Sequence, residues 1–222
     1  MTHTANILER GRFIDMTPNQ CYNALLAEKL IREFEKRNFE GFYCKTKDAA
    51  VSKILDILPE NATVSCGGSV SLEEIGLTKV LTDGSYTFLN PNGAGNALDK
   101  DVIAHKALAS DYYFMSSNAV CESGELVNVD GYGNRVSALI FGPKNVIIVV
   151  GLNKVEGSLE AAVNRAKTYA ARKILLKFKQ DYSSFEELCE AAEAACSQLV
   201  ITEKSAVKGR IKIILVGENL GF

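Results

Sequence analysis

Three polar, glycine-containing stretches hold residues that could do chemistry. The densest runs Ser116-Ser117-Asn118, then Glu122-Ser123-Gly124-Glu125, then Asn128-Val129-Asp130-Gly131-Tyr132-Gly133-Asn134-Arg135. A carboxylate, amides and one guanidinium thus follow the apolar segment 126–129 within a few positions. Such a set can grip a small anionic metabolite. Arg135 suits bidentate binding of a carboxylate or phosphate. Asn118 and Asn134 can donate or accept, and Gly131 and Gly133 let the backbone come close. Asp130, Glu125 and Glu122 are the candidate general bases. The plainer reading is a hairpin and a glycine turn, with Asp130 and Arg135 paired structurally.

The second stretch is Ser65-Cys66-Gly67-Gly68-Ser69-Val70-Ser71, which leaves a strand and opens a helix. Gly67, Gly68, Ser69 and Ser71 are candidate anion ligands, because free N–H groups at such a turn favour negative charge. Ser71 and Glu74 have the spacing of a capping box. The glycine spacing matches neither a P-loop nor a dinucleotide fingerprint. The third stretch, residues 90–96, reads as turn chemistry between a strand and a helix. Cys66 stands where a thiolate could be stabilised, but nothing places His105 beside it as a base, so a small buried cysteine is expected.

These residues need elements to position them. Thr17, Pro18 and Gln20 start a helix with a capping box, and Leu26, Leu30 and Phe34 repeat along it. A second helix covers residues 47–58 and stops at Pro59. Strands are expected at 62–66, 86–89, 112–115, 126–129, 146–150, 199–202 and 211–216. Helices are expected at 98–109, 136–141, 159–178 and 185–197. Residues 119–121 pair with 126–129 through the turn at Ser123-Gly124. The alternation implies an α/β fold with a mostly parallel sheet and helices on both faces. Residues 1–40 read as a helical N-terminal extension and 41–222 as the α/β domain.

Composition narrows the class. The 222 residues include 25 basic and 27 acidic side chains in mixed order, with no basic stripe for nucleic acid. The longest apolar run, 146–150, is far short of the ~20 residues of a membrane helix. Residues 1–13 lack the apolar core of a signal peptide. A cytoplasmic protein is expected, with no nucleic-acid or membrane partner and the homodimer as the common default assembly. The six cysteines are dispersed without a C-x-x-C, and His3 and His105 are the only imidazoles, so neither a disulfide frame nor a metal site is expected.

Three segments carry a wider resemblance: residues 67–76 (GGSVSLEEIG), 116–155 (SSNAVCESGELVNVDGYGNRVSALIFGPKNVIIVVGLNKV) and 214–222 (ILVGENLGF). Together they resemble the LUD-domain family, which includes the lactate-utilisation proteins B and C, over residues 17–222. The resemblance implies the fold shared by NagB, ribose-5-phosphate isomerase (RpiA) and the CoA transferases, and residues 41–222 then form a LUD-type domain. It implies a part in oxidising L-lactate to pyruvate, within an iron–sulfur oxidoreductase system of several subunits. By analogy of fold, the 67–71 loop and the 128–135 segment line the pocket. One departure matters. Many relatives have a cysteine-rich stretch after the long late helix, whereas residues 179–210 hold only Cys189 and Cys196. An iron–sulfur cluster takes about four such ligands, so partner oxidoreductase subunits are expected to carry the electrons; the cofactor stays open. The other readings are a stand-alone isomerase or CoA transferase using a phosphorylated or CoA-linked metabolite, and a non-catalytic ligand-binding module.

Overall fold

The computed structural model describes residues 15–222. The stretch 1–13 and His3, read above for targeting and metal ligation, lie outside them. Helix α1 (Pro18–Lys36) starts at its capping box. Thr17 Oγ1 accepts from the Gln20 N–H at 3.3 Å, and Gln20 Oε1 accepts from the Thr17 N–H at 2.8 Å. Its Ala27, Leu30 and Phe34 are fully buried. A large apolar side chain so buried contributes about 1.5–3 kcal/mol.

Strand β1 (Glu40–Cys44), helix α2 (Lys47–Ile57) and strand β2 (Thr63–Cys66) follow. Two short helices come next, α3 (Val70–Glu74) and α4 (Leu77–Asp83), parted by Gly76 in the left-handed region at φ 73°. The N-cap of α3 is Ser69, whose Oγ accepts from the Leu72 N–H at 3.4 Å, and not Ser71 as the capping-box spacing suggests. Ser71 lies inside the helix, buried, and Glu74 accepts from the Gly221 N–H at 2.9 Å instead of closing a box.

Strand β3 (Thr87–Leu89), helix α5 (Ala97–Ala107) and strand β4 (Tyr112–Met115) lead into the hairpin of β5 (Ala119–Cys121) and β6 (Leu126–Asp130). Helix α6 (Asn134–Ile140), strand β7 (Asn145–Gly151), a 3₁₀ turn (Leu152–Lys154) and the short β8 (Val155–Glu156) come next. The long late helix is α7 (Leu159–Arg165), one π-helical turn (Ala166–Ala170) and α8 (Ala171–Phe178). Helix α9 (Phe185–Ala195) and strands β9 (Gln198–Thr202) and β10 (Ile211–Val216) complete the chain.

Six strands form one wholly parallel sheet in the order β1-β10-β7-β4-β2-β3. Its central strands bury both faces. Ile148, Val150, Ile213 and Leu215 enter the core under α1, while Ile147, Val149, Ile214 and Val216 enter the opposite core with Ile54 and Leu77. That double burial explains the unbroken apolar runs. A mixed second sheet runs β8-β5-β6-β9, with β6 antiparallel to both neighbours. Val120 and Leu126 join the α1 core, and Ala119 and Val127 pack on Ala162 and Ala166 of the late helix. The fold is thus the α/β arrangement the sequence implies. No helix among the described residues is long and apolar enough to cross a membrane.

From β2 the chain runs outward to β3; from β4 it runs the other way, to β7 and β10. The strand order therefore reverses between β2 and β4. A crevice opens at the carboxyl ends of strands at such a point, and ligands bind there.

Candidate functional site

A cavity of about 380 Å³ occupies that crevice. Its polar wall comes from Gly68–Ser71 after β2, Ser116–Asn118 after β4, and the loop after β6 with Asp130, Gly131, Asn134 and Arg135. Its apolar wall comes from Ala171, Ile174, Leu175 and Phe178 of α8, with Phe222. The π turn just before α8 adds one residue per turn and rotates this wall relative to α7; such turns recur at functional sites. The two stretches read as chemical in the sequence therefore meet in space.

Arg135 organises the polar wall. Its Nη1 donates to the Ser116 carbonyl at 3.0 Å and to Asn128 Oδ1 at 2.7 Å. Its Nη2 donates to Asn118 Oδ1 at 2.8 Å and to the Val129 carbonyl. Both donors of each Nη thus go to protein acceptors, and Nε faces Asp130 at 3.9 Å. The fork, expected to clamp a ligand, ties the loop after β4 and the end of β6 to the start of α6. Burial pulls its pKa down, and Asp130 works against that.

Asp130 does local work too. Its Oδ1 accepts from the N–H groups of Tyr132 (3.1 Å) and Gly133 (3.0 Å), and its Oδ2 from that of Val136 (3.2 Å). It ties down the start of α6. Gly133 takes φ 89° there, a left-handed conformation that suits glycine, and lies outside the cavity wall. Gly131 lines the cavity, where a Cβ would meet the Ala195 carbonyl at 2.9 Å. Gly67 lies behind the wall; a Cβ on it would meet the Tyr113 hydroxyl at 3.0 Å and the Arg135 stem at 3.3 Å.

Glu122 and Glu125 are not brought to this site. Glu122 pairs with Lys29 of α1 at 2.5 Å, and Glu125 pairs with Arg37 and accepts from Ser123. Burial opposes ionisation of Glu125, yet Ser123 and Arg37 together hold its carboxyl below the usual range. These glutamates fasten the hairpin to α1 and do not line the cavity. Cys66 is buried and its thiol is pushed up to about 12, chiefly by desolvation and also by Glu73. It is inert as a nucleophile. His105 is largely exposed on α5 and lines a separate hollow with Ile140 and Val200.

One functional group escaped the sequence reading. Lys154 lines the cavity at the end of the 3₁₀ turn after β7 and is 3% exposed. Its Nζ donates to Ser71 Oγ at 2.8 Å and to Ser116 Oγ at 3.0 Å. Among the described residues no carboxylate forms an ion pair with it. Burial first, then the nearby Arg165 and Arg135, lower its pKa to about 7, with Glu74 as a partial counterweight. The usable signal was positional: a lysine just past the carboxyl end of the most apolar strand. Arg165 supports the same corner, donating to the carbonyls of Asn118 at 2.5 Å and Asn153 at 3.3 Å.

Asn153 holds the turn that carries Lys154. Its Oδ1 accepts from the Leu220 N–H at 3.0 Å and its Nδ2 donates to the Leu220 carbonyl at 3.3 Å. Gly151 leaves room for this clasp, since a Cβ there would meet Asn153 Oδ1 at 2.2 Å and Leu220 N at 2.7 Å. Gly151→Ala is expected to destabilise the protein by about 1–3 kcal/mol, read as a lower urea midpoint with an unchanged slope.

The sequence matches the profile of the LUD domain over residues 27–216. No curated protein sequence matches it. Among solved structures, it is similar to the crystal structure, at 1.70 Å resolution, of a DUF162 family protein from Deinococcus radiodurans. The TM-score is 0.54 at 13% identity, covering 87% of this chain and 98% of the other. That likeness speaks for the fold, and the profile match speaks for the family. A profile that spans the parallel sheet from α1 to β10, with the whole polar wall inside it, leaves one assignment: this chain belongs to the LUD domain family.

Proposed function

We propose that this protein binds a small monocarboxylate of the lactate–pyruvate class in the cavity after β2, β4 and β7, and serves lactate oxidation together with partner oxidoreductase subunits. The family's general link to lactate utilisation supports the substrate class. The observation that carries the reading is Lys154 with Ser71 and Ser116 at the polar end of a cavity whose other wall is apolar. A short 2-hydroxy or 2-oxo acid has this polarity, with a carboxylate and an oxygen on adjacent carbons and an alkyl end. The guanidinium groups of Arg135 and Arg165 stand near that end of the cavity, each facing a carboxylate, Asp130 at 3.9 Å and Glu156 at 3.6 Å, with Nη donors bound to protein acceptors.

Electron carriage falls to the partners. An iron–sulfur cluster takes about four thiolate-type ligands. Among the described residues no three His, Cys, Asp or Glu side chains converge as a metal set, so the residues present do not fit one. The covalent glutamyl-CoA route of a CoA transferase lacks its residue as well, since neither Glu122 nor Glu125 lines the cavity.

Thermal shift of the purified protein tests the reading. Ligand at 100 times its dissociation constant adds about 2.7 kcal/mol, a rise of roughly 5–10 °C for a chain of this size. L-Lactate or pyruvate is expected to give such a rise in the wild type and in Glu122→Gln, and none in Lys154→Met. A rise with sugar phosphates or CoA esters, and none with monocarboxylates, overturns it. Affinity purification from the native host grown on lactate is expected to bring down oxidoreductase subunits.

A further inference from the structure

We propose that Lys154 captures the carbonyl carbon of a small 2-oxo acid as a Schiff base. This rests on the monocarboxylate reading above and deepens it, choosing the oxo acid over the hydroxy acid as the species the chain engages covalently.

The surroundings of Nζ are those of a nucleophile and not of an anion clamp. A lysine kept only to hold a carboxylate gains from staying protonated, and a buried carboxylate partner is the usual means. Here Nζ meets two hydroxyl oxygens, which accept from an amine and can also donate to one. The charged groups around it are Arg165 on α7, Arg135 on α6 and Glu74 on α3. Burial favours the free amine most, and Arg165 and Arg135 work the same way although they face Glu156 and Asp130 in turn. Desolvated lysine beside other cations is a recurrent way to make a carbonyl-reactive amine near neutral pH. The same guanidinium groups attract the ligand's carboxylate, which in a 2-oxo acid is bonded to the carbon that Nζ attacks. The wall of Ile174 and Leu175 suits its alkyl end.

The step balances without a redox partner. The Nζ lone pair forms a bond to the carbonyl carbon, and the carbonyl oxygen takes up a proton to give a carbinolamine. The carbon–oxygen bond then breaks, and that oxygen leaves as water with both hydrogens of the amine. The product is an imine, which binds a proton to become a cationic iminium. Ser71 and Ser116, each in contact with Nζ, are placed to pass protons between nitrogen and the departing oxygen.

The test is reductive trapping of the wild-type protein with pyruvate and cyanoborohydride, followed by intact mass measurement and peptide mapping. A single 1-carboxyethyl group on Lys154 is expected. Lactate, which has no carbonyl, gives none. Lys154→Arg loses the adduct, and the wild-type peptide map locates it even if that variant folds poorly. The trapping rate is expected to rise several-fold between about pH 6 and pH 8 as the amine loses its proton. Label spread over exposed lysines and absent from Lys154 overturns the Schiff base. If pyruvate still raises the melting temperature in that case, the monocarboxylate reading survives alone. If no monocarboxylate raises it, both fall.

Discussion

Arg135→Ala is expected to cost about 3–5 kcal/mol and to abolish the thermal response to monocarboxylates, although the Nη donors of Arg135 all point at protein. Removing the guanidinium orphans the Ser116 and Val129 carbonyls and the side-chain oxygens of Asn118 and Asn128. Asn128 is fully buried, so water reaches it poorly. A buried acceptor left without its donor costs about 1–3 kcal/mol. Water entering the vacated volume recovers part of the sum, which is why the expected loss is below four full penalties. Asp130 also loses its cationic neighbour while still facing the start of α6. The loops after β4 and β6 then separate, and the cavity loses its polar wall. Arg135→Lys is not expected to rescue it, since an ammonium cannot reach four acceptors in a fixed fork. Urea denaturation checks the stability term. A variant within 1 kcal/mol of wild type would show that the loops hold together without the hub.

Much of this was legible because the signals were local. The capping box of α1 needs only residues 17–20, and the β7 core shows as one β-branched run. The 67–71 and 128–135 stretches stand out because glycine, serine and amide side chains gather after strands. What sequence spacing could not show was which end of β6 meets the loops after β2 and β4. Glu125 stands just before β6 and Asp130 ends it. Five residues of strand separate such neighbours by roughly 16 Å, so three carboxylates that look alike in sequence go to different places. Lys154 failed to stand out for the opposite reason. It is one of 25 basic residues, and its partner Ser71 lies 83 positions away. Ser69 and Ser71 both precede a helix-forming run, and only the extended backbone of Ser69 decides the cap. The π turn, Ala-Lys-Thr-Tyr-Ala, has no composition that marks it.

The lysine makes the second large prediction, and its sign depends on pH. Lys154→Met is expected to be more stable than wild type at about pH 6, with the gap closing as pH rises. Burial, with Arg165 and Arg135 nearby, pulls the native lysine down to about 7, against 10.5 for an ordinary one. Between those values the unfolded chain holds the proton and the native chain has released it. The unfolded state therefore binds more protons, and wild-type stability rises with pH across that window. Below it both states are charged, and the full penalty of a buried ammonium is present. Three to four pKa units correspond to a change on the order of 4 kcal/mol. Methionine has similar length and no charge, so it avoids the penalty. It leaves the Ser71 and Ser116 hydroxyls without Nζ, a pH-independent loss of about 1–2 kcal/mol. The net is a gain of about 2 kcal/mol near pH 6 that reverses sign towards pH 10. Other titrating groups are common to both proteins and cancel in the difference. Urea midpoints at three pH values read it, and a difference that does not change with pH would mean that Lys154 keeps its proton. The same variant loses the pyruvate adduct and the thermal response. A buried position that an apolar side chain fills at lower free energy, and that fails in binding when so filled, is held for chemistry and not for packing.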